Sequence, residues 1–164
     1  MDQRDDKAGW RDLTPEALTQ AKALLREADH GALATTRPTD GWPRASRVGL
    51  ALLADGTPLI IASALTGHFK ALVADSRCGL MVGTAGKGDP LARPRLSLVC
   101  RAEMLSPGSV EAGTARARYL DRHPRAAVYV DLPDFRFFRL ALVEAELNAG
   151  FGRAYRIAGD ALLA

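Results

Sequence analysis

The run Arg44-Ala45-Ser46-Arg47-Val48-Gly49-Leu50-Ala51-Leu52-Leu53-Ala54-Asp55-Gly56-Thr57-Pro58-Leu59-Ile60-Ile61-Ala62-Ser63 decides the fold. Its halves read as strands over 45–53 and 58–63, joined at Asp55-Gly56 by a tight hairpin turn. Working outward, short apolar stretches over 32–36, 78–84, 95–105 and 135–149 add four more strands, the last alternating apolar and polar residues. Helices are few. Thr14-Pro15-Glu16 has the chemistry of a helix start, with Leu18, Ala21, Leu25 and Ala28 at helical spacing and Gly31 as its stop. A short helix follows the third strand over 68–75, and another fills 109–122 before His123-Pro124, with a further helical turn over 126–130. Strands joined mostly by tight turns, with too few helices for parallel crossovers, predict a mainly β, antiparallel barrel with short helices. A last short run, 155–158, follows the sixth strand.

The chain has 164 residues, long enough to bury one core, and divides into a polar arm over 1–13 and a single domain over 14–164. Hydrophobic residues make up 48% and charged residues 25%, ordinary values for a globular protein. The net charge of +3 is dispersed among acids such as Asp40, Asp55, Asp75 and Asp89, which argues against a nucleic-acid surface. The charged N-terminus lacks a secretory apolar segment, and no apolar run reaches the roughly 20 residues of a membrane span, so a cytoplasmic protein is expected. Cys78 and Cys100 lie in apolar runs without a CxxC and read as buried free thiols. The three histidines have no ligand spacing, so no metal site is expected, and neither a GxSxG elbow nor a P-loop is present.

Chemistry concentrates at two strand ends. Arg44, Ser46 and Arg47 open the second strand, where alternation sets Arg44 and Ser46 on one face and Arg47 on the other. Ser63 closes the third strand, and Thr66, His68 and Lys70 open the helix after it. Each cluster alone is also compatible with an ordinary polar strand end or a capped helix. Together on neighbouring strands, guanidinium, hydroxyl, imidazole and ammonium groups beside a helix start suit a bound phosphate. The adjoining apolar strand suits a flat ring. The combination points to a phosphorylated aromatic cofactor, with flavin mononucleotide (FMN) the obvious candidate. Arg95 and Arg101, on the fifth strand, either face solvent or reach a cofactor shared across a dimer.

These residues resemble the FMN-binding split-barrel family related to pyridoxamine 5′-phosphate oxidase, near its haem-utilisation branch. The resemblance is carried by Pro43-Arg-Ala-Ser46-Arg-Val-Gly49, Ser63, Thr66-Gly-His68-Phe-Lys70-Ala-Leu72, Ala74-Asp75-Ser-Arg77, Gly88-Asp89-Pro90-Leu91, Arg95-Leu96-Ser-Leu98, Tyr119-Leu-Asp-Arg-His123-Pro124 and Gly150-Phe151-Gly152-Arg-Ala154. It implies a six-stranded antiparallel split barrel and a homodimer holding two FMN molecules at its interface. It places Arg47 and Val48 along the flavin and its phosphate tail, beside Ser46, with Ser63 at the ring or phosphate. By the same resemblance His68 and Lys70 grip the phosphate next to Thr66, and Arg95 approaches from the fifth strand, either of the same chain or of the partner subunit. Leu52 stands where the oxidase has a further lysine, so the oxidase's full phosphate clamp is not reproduced. The function this implies is an FMN-dependent oxidoreductase acting on a small molecule. The alternative is a non-catalytic binding or sensing protein of the same fold that carries FMN, haem or deazaflavin.

Overall fold

Alternation along 30–36 and 77–83 puts Leu33, Leu80 and Val82 on one face and, apart from Met81, small or polar residues on the other, and two neighbouring strands result. The computed structural model describes residues 9–83 and 86–163. Its elements are α1 (Pro15–Glu27), β1 (His30–Thr36), β2 (Pro43–Gly49), β3 (Ala51–Leu52), β4 (Pro58–Ser63), α2 (Gly67–Ala74), β5 (Arg77–Gly83), β6 (Arg95–Met104), α3 (Val110–Arg122), β7 (Phe135–Asn148), β8 (Ala154–Ala158) and α4 (Gly159–Leu162). Short 3-10 turns occupy Pro90–Ala92 and Pro124–Val128. The eight strands form one sheet in the order β2-β1-β5-β6-β7-β4-β3, with β8 also on β7, and every pairing between them is antiparallel. The fold is a mainly β split barrel with short helices.

The strand expected over 45–53 is broken at Leu50. Before the break, β2 pairs with β1; after it, Ala51 and Leu52 pair with β4 at the opposite end of the sheet. One run of chain thus joins both ends of the sheet and curls it into a barrel. The break is stabilised through its backbone: Leu50 N–H donates to Asp29 O at 2.8 Å, and its carbonyl accepts from His123 Nε2 at 2.9 Å. This split, together with β8 from the run 155–158, turns six expected strands into eight among the described residues. Beyond Leu59 no ladder joins β4 to β2 there, although the two strands lie side by side. The barrel is open along that seam.

α1 ends at Glu27, earlier than expected, and Gly31 lies inside β1 rather than stopping the helix. Packing requires the glycine, because a Cβ there would stand 2.7 Å from Leu80 Cδ1. Ala21 and Leu25 of α1 close the core over Leu33, Leu98, Phe138 and Leu140, while α3 closes the seam side with Ala115 and Tyr119 against Leu59 and Phe137. Hydroxyl caps fix the helix starts: Thr14 accepts from Ala17 N at 3.2 Å, Thr66 from Phe69 N at 3.4 Å and Ser109 from Ala112 N at 3.1 Å. Residues 1–8 of the expected arm, and Thr84 of the expected fourth strand, lie outside the described residues. The remainder of the arm is tied to β8, with Arg11 N donating to Ala154 O at 2.8 Å and Arg156 stacked on Trp10. Among the described residues no helix is long and apolar enough to cross a membrane.

Candidate functional site in the barrel seam

Because β2 and β4 meet without a ladder, their ends enclose a cavity of about 220 Å3. Arg47, Val48 and Gly49 line it from β2, Ile61, Ala62 and Ser63 from β4, and Thr66 and His68 from the start of α2. Five of the residues singled out in the sequence, Arg47, Val48, Ser63, Thr66 and His68, therefore share one cavity. Tyr119, Tyr129 and Phe135 complete it as an aromatic wall. The rings of Tyr129 and Phe135 lie 5.2 Å apart, and Tyr119 packs 4.6 Å from His123 and 5.8 Å from Phe137. Burial, with Tyr129 beside it, pushes the Tyr119 hydroxyl well above its ordinary value, so it stays protonated.

The hydroxyls here are already committed. Ser63 Oγ donates to Asp134 Oδ2 and accepts from Leu65 N at 3.1 Å, leaving one lone pair for a ligand and no proton. Thr66 Oγ1 donates to the Ser63 carbonyl at 2.7 Å. Its proton thus spent, the hydroxyl can only accept from His68 Nε2 at 3.3 Å, which makes Nε2 the protonated nitrogen and leaves Nδ1 with a lone pair. Burial first, then the positive charge of Arg44, lowers the His68 pKa below the usual histidine value. The imidazole is therefore neutral near pH 7.

Arg44 sits closer to this site than a polar strand end would. Its guanidinium covers the start of α2 so tightly that a Cβ on Gly67 would lie 1.3 Å from Arg44 Nη1. Ser46 and Arg95 are elsewhere. They line a larger groove of about 510 Å3 on the outer side of β1, β2 and β5, with His30, Ala32, Met81 and Arg93. Arg47 borders both spaces. Lys70 is exposed on α2 and lines neither. The aromatic wall had no sequence signal near the clusters, since α3 and the segment after it deliver those rings from more than fifty residues away.

Comparison with known proteins agrees with this fold. Residues 17–149 match the family model described as pyridoxamine 5′-phosphate oxidase. The chain belongs to that family. A "Non-canonical heme oxygenase", chloroplastic, from Arabidopsis thaliana is 28% identical over 144 residues, spanning 87% of this chain and 43% of that protein. The solved structure of a heme binding protein from Mycobacterium smegmatis is 32% identical with a TM-score of 0.82, covering 92% of this chain and 61% of the other. A protein of unknown function from Agrobacterium tumefaciens is 34% identical with a TM-score of 0.81 and the same two coverages. The chain thus spans less than two thirds of the length of each of these relatives.

Proposed function

We propose that the seam cavity binds FMN and that the protein is a cytoplasmic FMN-dependent oxidoreductase acting on a small molecule. One observation carries this reading: the Arg44 guanidinium covers the start of α2, and the cavity there is lined by Arg47, Thr66 and His68 together with the rings of Tyr119, Tyr129 and Phe135. Anionic tail and flat ring each meet matching chemistry. Arg47 and Arg44 hold the phosphate. Val48, Tyr129 and Phe135 exclude water from the ring, and Ser63, held by Asp134, accepts a hydrogen bond from a ring N–H. When bound, the flavin supplies hydride transfer, and the chain supplies orientation and field.

The cavity of one chain is small for this ligand. Small-molecule sites run about 300–1,000 Å3, against about 220 Å3 here. The remaining room comes, in this reading, from a second copy that packs through the outer sheet face. There Met81 and Val99 are 48% and 44% exposed beside small residues such as Ala32 and Gly79. Arg95 of the outer groove then reaches the flavin of the partner, which explains why it lies apart from the seam within one chain.

The neutral His68 favours a second reading, since an imidazole with a free Nδ1 suits haem iron as well as it suits a phosphate oxygen. The names of the Arabidopsis and Mycobacterium relatives agree with it. Titration of the purified protein with FMN, by flavin fluorescence, and with hemin, by absorbance, separates the two. FMN binding in the micromolar range, with hemin unbound or insensitive to His68→Ala, supports the flavin. Hemin binding lost in His68→Ala without FMN binding supports haem, and binding of neither overturns both.

A further inference from the structure

We infer that Cys78 and Cys100 form a redox modification site, a cross-strand thiol pair that a peroxide converts to a disulfide stapling β5 to β6. The two residues face each other directly in the β5–β6 register, and both are free thiols. Both side chains enter the same core cluster, so they leave the sheet on one side. Directly opposed residues of an antiparallel pair have Cα atoms about 4.5–5.5 Å apart, and a disulfide spans about 4.4–6.8 Å. The bridge therefore fits the register as it stands. What small adjustment it needs is available on the other side of β6. There the β6–β7 register skips from Val99 opposite Glu144 to Cys100 opposite Leu142, so Val143 has no partner and the ladder is locally disrupted beside Cys100.

The two thiols are unequal, which gives the oxidation an order. A hydrogen bond with the Cys100 thiol lowers the pKa of Cys78, against burial and the negative charge of Asp75, and the same bond, then burial, raises that of Cys100. Cys78 is 9% exposed at the start of β5, next to the exposed Arg77, whereas Cys100 is 2% exposed in the middle of β6. Cys78 is thus both the readier thiolate and the sulfur that a water-sized oxidant reaches first. Its sulfur attacks one oxygen of hydrogen peroxide. The O–O bond breaks, a sulfenic acid forms on Cys78, and the other oxygen leaves as water with the thiol proton. The Cys100 sulfur then attacks the Cys78 sulfur: the S–S bond forms, the S–O bond breaks, and hydroxide departs with the Cys100 proton as a second water. Two thiols are oxidised and one peroxide is reduced, with no further reactant.

The test treats native, fully reduced protein with hydrogen peroxide, alkylates it with N-ethylmaleimide in guanidinium and weighs the intact chain. With only two cysteines in the sequence, the number of maleimides added reads the state directly. The expected result is loss of both alkylations in a chain that still runs as a single chain on a non-reducing gel. A peptide linking Cys78 to Cys100 appears in the digest, and dithiothreitol restores both alkylations. The oxidised protein melts higher by about 5–10 °C, the range for closing a loop of this size in a chain of this length. In Cys100→Ala the second thiol is gone, so dimedone traps a sulfenic acid on Cys78; in Cys78→Ala, Cys100 keeps its alkylation over the same time. The wild-type measurement stands by itself if either variant fails to fold. Two alkylations after peroxide, links formed only between chains, sulfinic acid on Cys78 without a disulfide, or a bridged chain that melts no higher than the reduced one overturns the inference. A sulfenic acid trapped on Cys100 instead of Cys78 overturns the order assigned to the two thiols.

Discussion

Gly49→Ala tests whether the seam is built as described. A Cβ on Gly49 would stand 2.3 Å from Tyr119 Oη, 3.4 Å from Cζ and 3.7 Å from His123 Cε1. Favourable carbon contacts lie near 3.5–4.0 Å, so about an ångström must be found. Tyr119 cannot swing to provide it: the residue is 2% exposed, its ring is flanked by His123 and Phe137, and His123 is itself bonded to Leu50 O. Overpacking of this kind costs about 1–3 kcal/mol, while the lost freedom of the unfolded chain returns about 0.4–1 kcal/mol. The net loss is roughly 1–2 kcal/mol, which for a chain of this size lowers Tm by about 2–8 °C. Urea unfolding followed by circular dichroism should show the midpoint falling with an unchanged slope. In a Tyr119→Phe background only the ordinary contacts at 3.4 Å to Cζ and 3.7 Å to His123 Cε1 remain, so the same substitution becomes neutral or mildly stabilising. Equal losses in both backgrounds, or no loss in the first, would refute the packing argument.

Other expectations follow from the same geometry. His68 has a folded pKa below the unfolded value of about 6.5, so the unfolded chain takes up its proton first as pH falls. This contribution to stability is intact above about pH 6.5 and is lost progressively as pH drops toward the folded value; melting curves between pH 5 and 8 should flatten in His68→Gln. Cys78 and Cys100 are free and buried, and the hydrogen bond with the Cys78 thiol, then burial, pushes Cys100 up. Ellman's reagent should therefore find no reactive thiol in the native protein and two per chain in guanidinium. The second copy proposed above would pack through the outer face, so the wild type should scatter light as a dimer and Met81→Asp as a monomer without loss of chain stability, because Met81 lies on that face; equal masses would remove that face from consideration.

Much of this molecule was legible from its residues, for identifiable reasons. β1, β5 and β6 keep strict two-residue alternation because one of their faces is core and the other is not. The Asp55-Gly56 turn announced itself because Gly56 adopts a φ of 86°, which side chains disfavour, and Asp55 accepts from Thr57 N. The break at Leu50 was not legible. It falls inside an unbroken apolar run, where no change of period marks a bend, and its backbone partner is His123, 73 positions away. Gly31 misled for a related reason: glycine after a helix suggests a stop, while this one makes room for Leu80. In the site, Arg47, Val48, Ser63, Thr66 and His68 share a cavity because hydroxyl and cationic groups at adjacent strand ends have few other uses. Lys70 lies outside the cavity because two residues beyond His68 turn it about 200° round α2, and Arg44 comes closer than alternation alone could say.

The seam itself ties stability to binding. A barrel closed by a full ladder would satisfy the backbone groups along the free edges of β2 and β4 and leave no space between them. Here the chain closes the barrel covalently, through Leu50, instead of by hydrogen bonds along those edges. The covalent closure keeps β2 and β4 side by side, so the edges cannot drift apart even though no ladder holds them. α2 and α3 roof the gap and shield it from edge pairing by another chain. What remains is a gap lined by Arg47, Thr66 and His68 and by the rings of Tyr119, Tyr129 and Phe135. Its walls are fixed by the barrel, and in the reading proposed above it takes a flat, anionic molecule. The residues that fix it, Gly49, Leu50, Tyr119 and His123, touch the seam from the side of the fold. Those proposed to select a ligand, Arg47 and His68, line the same cavity.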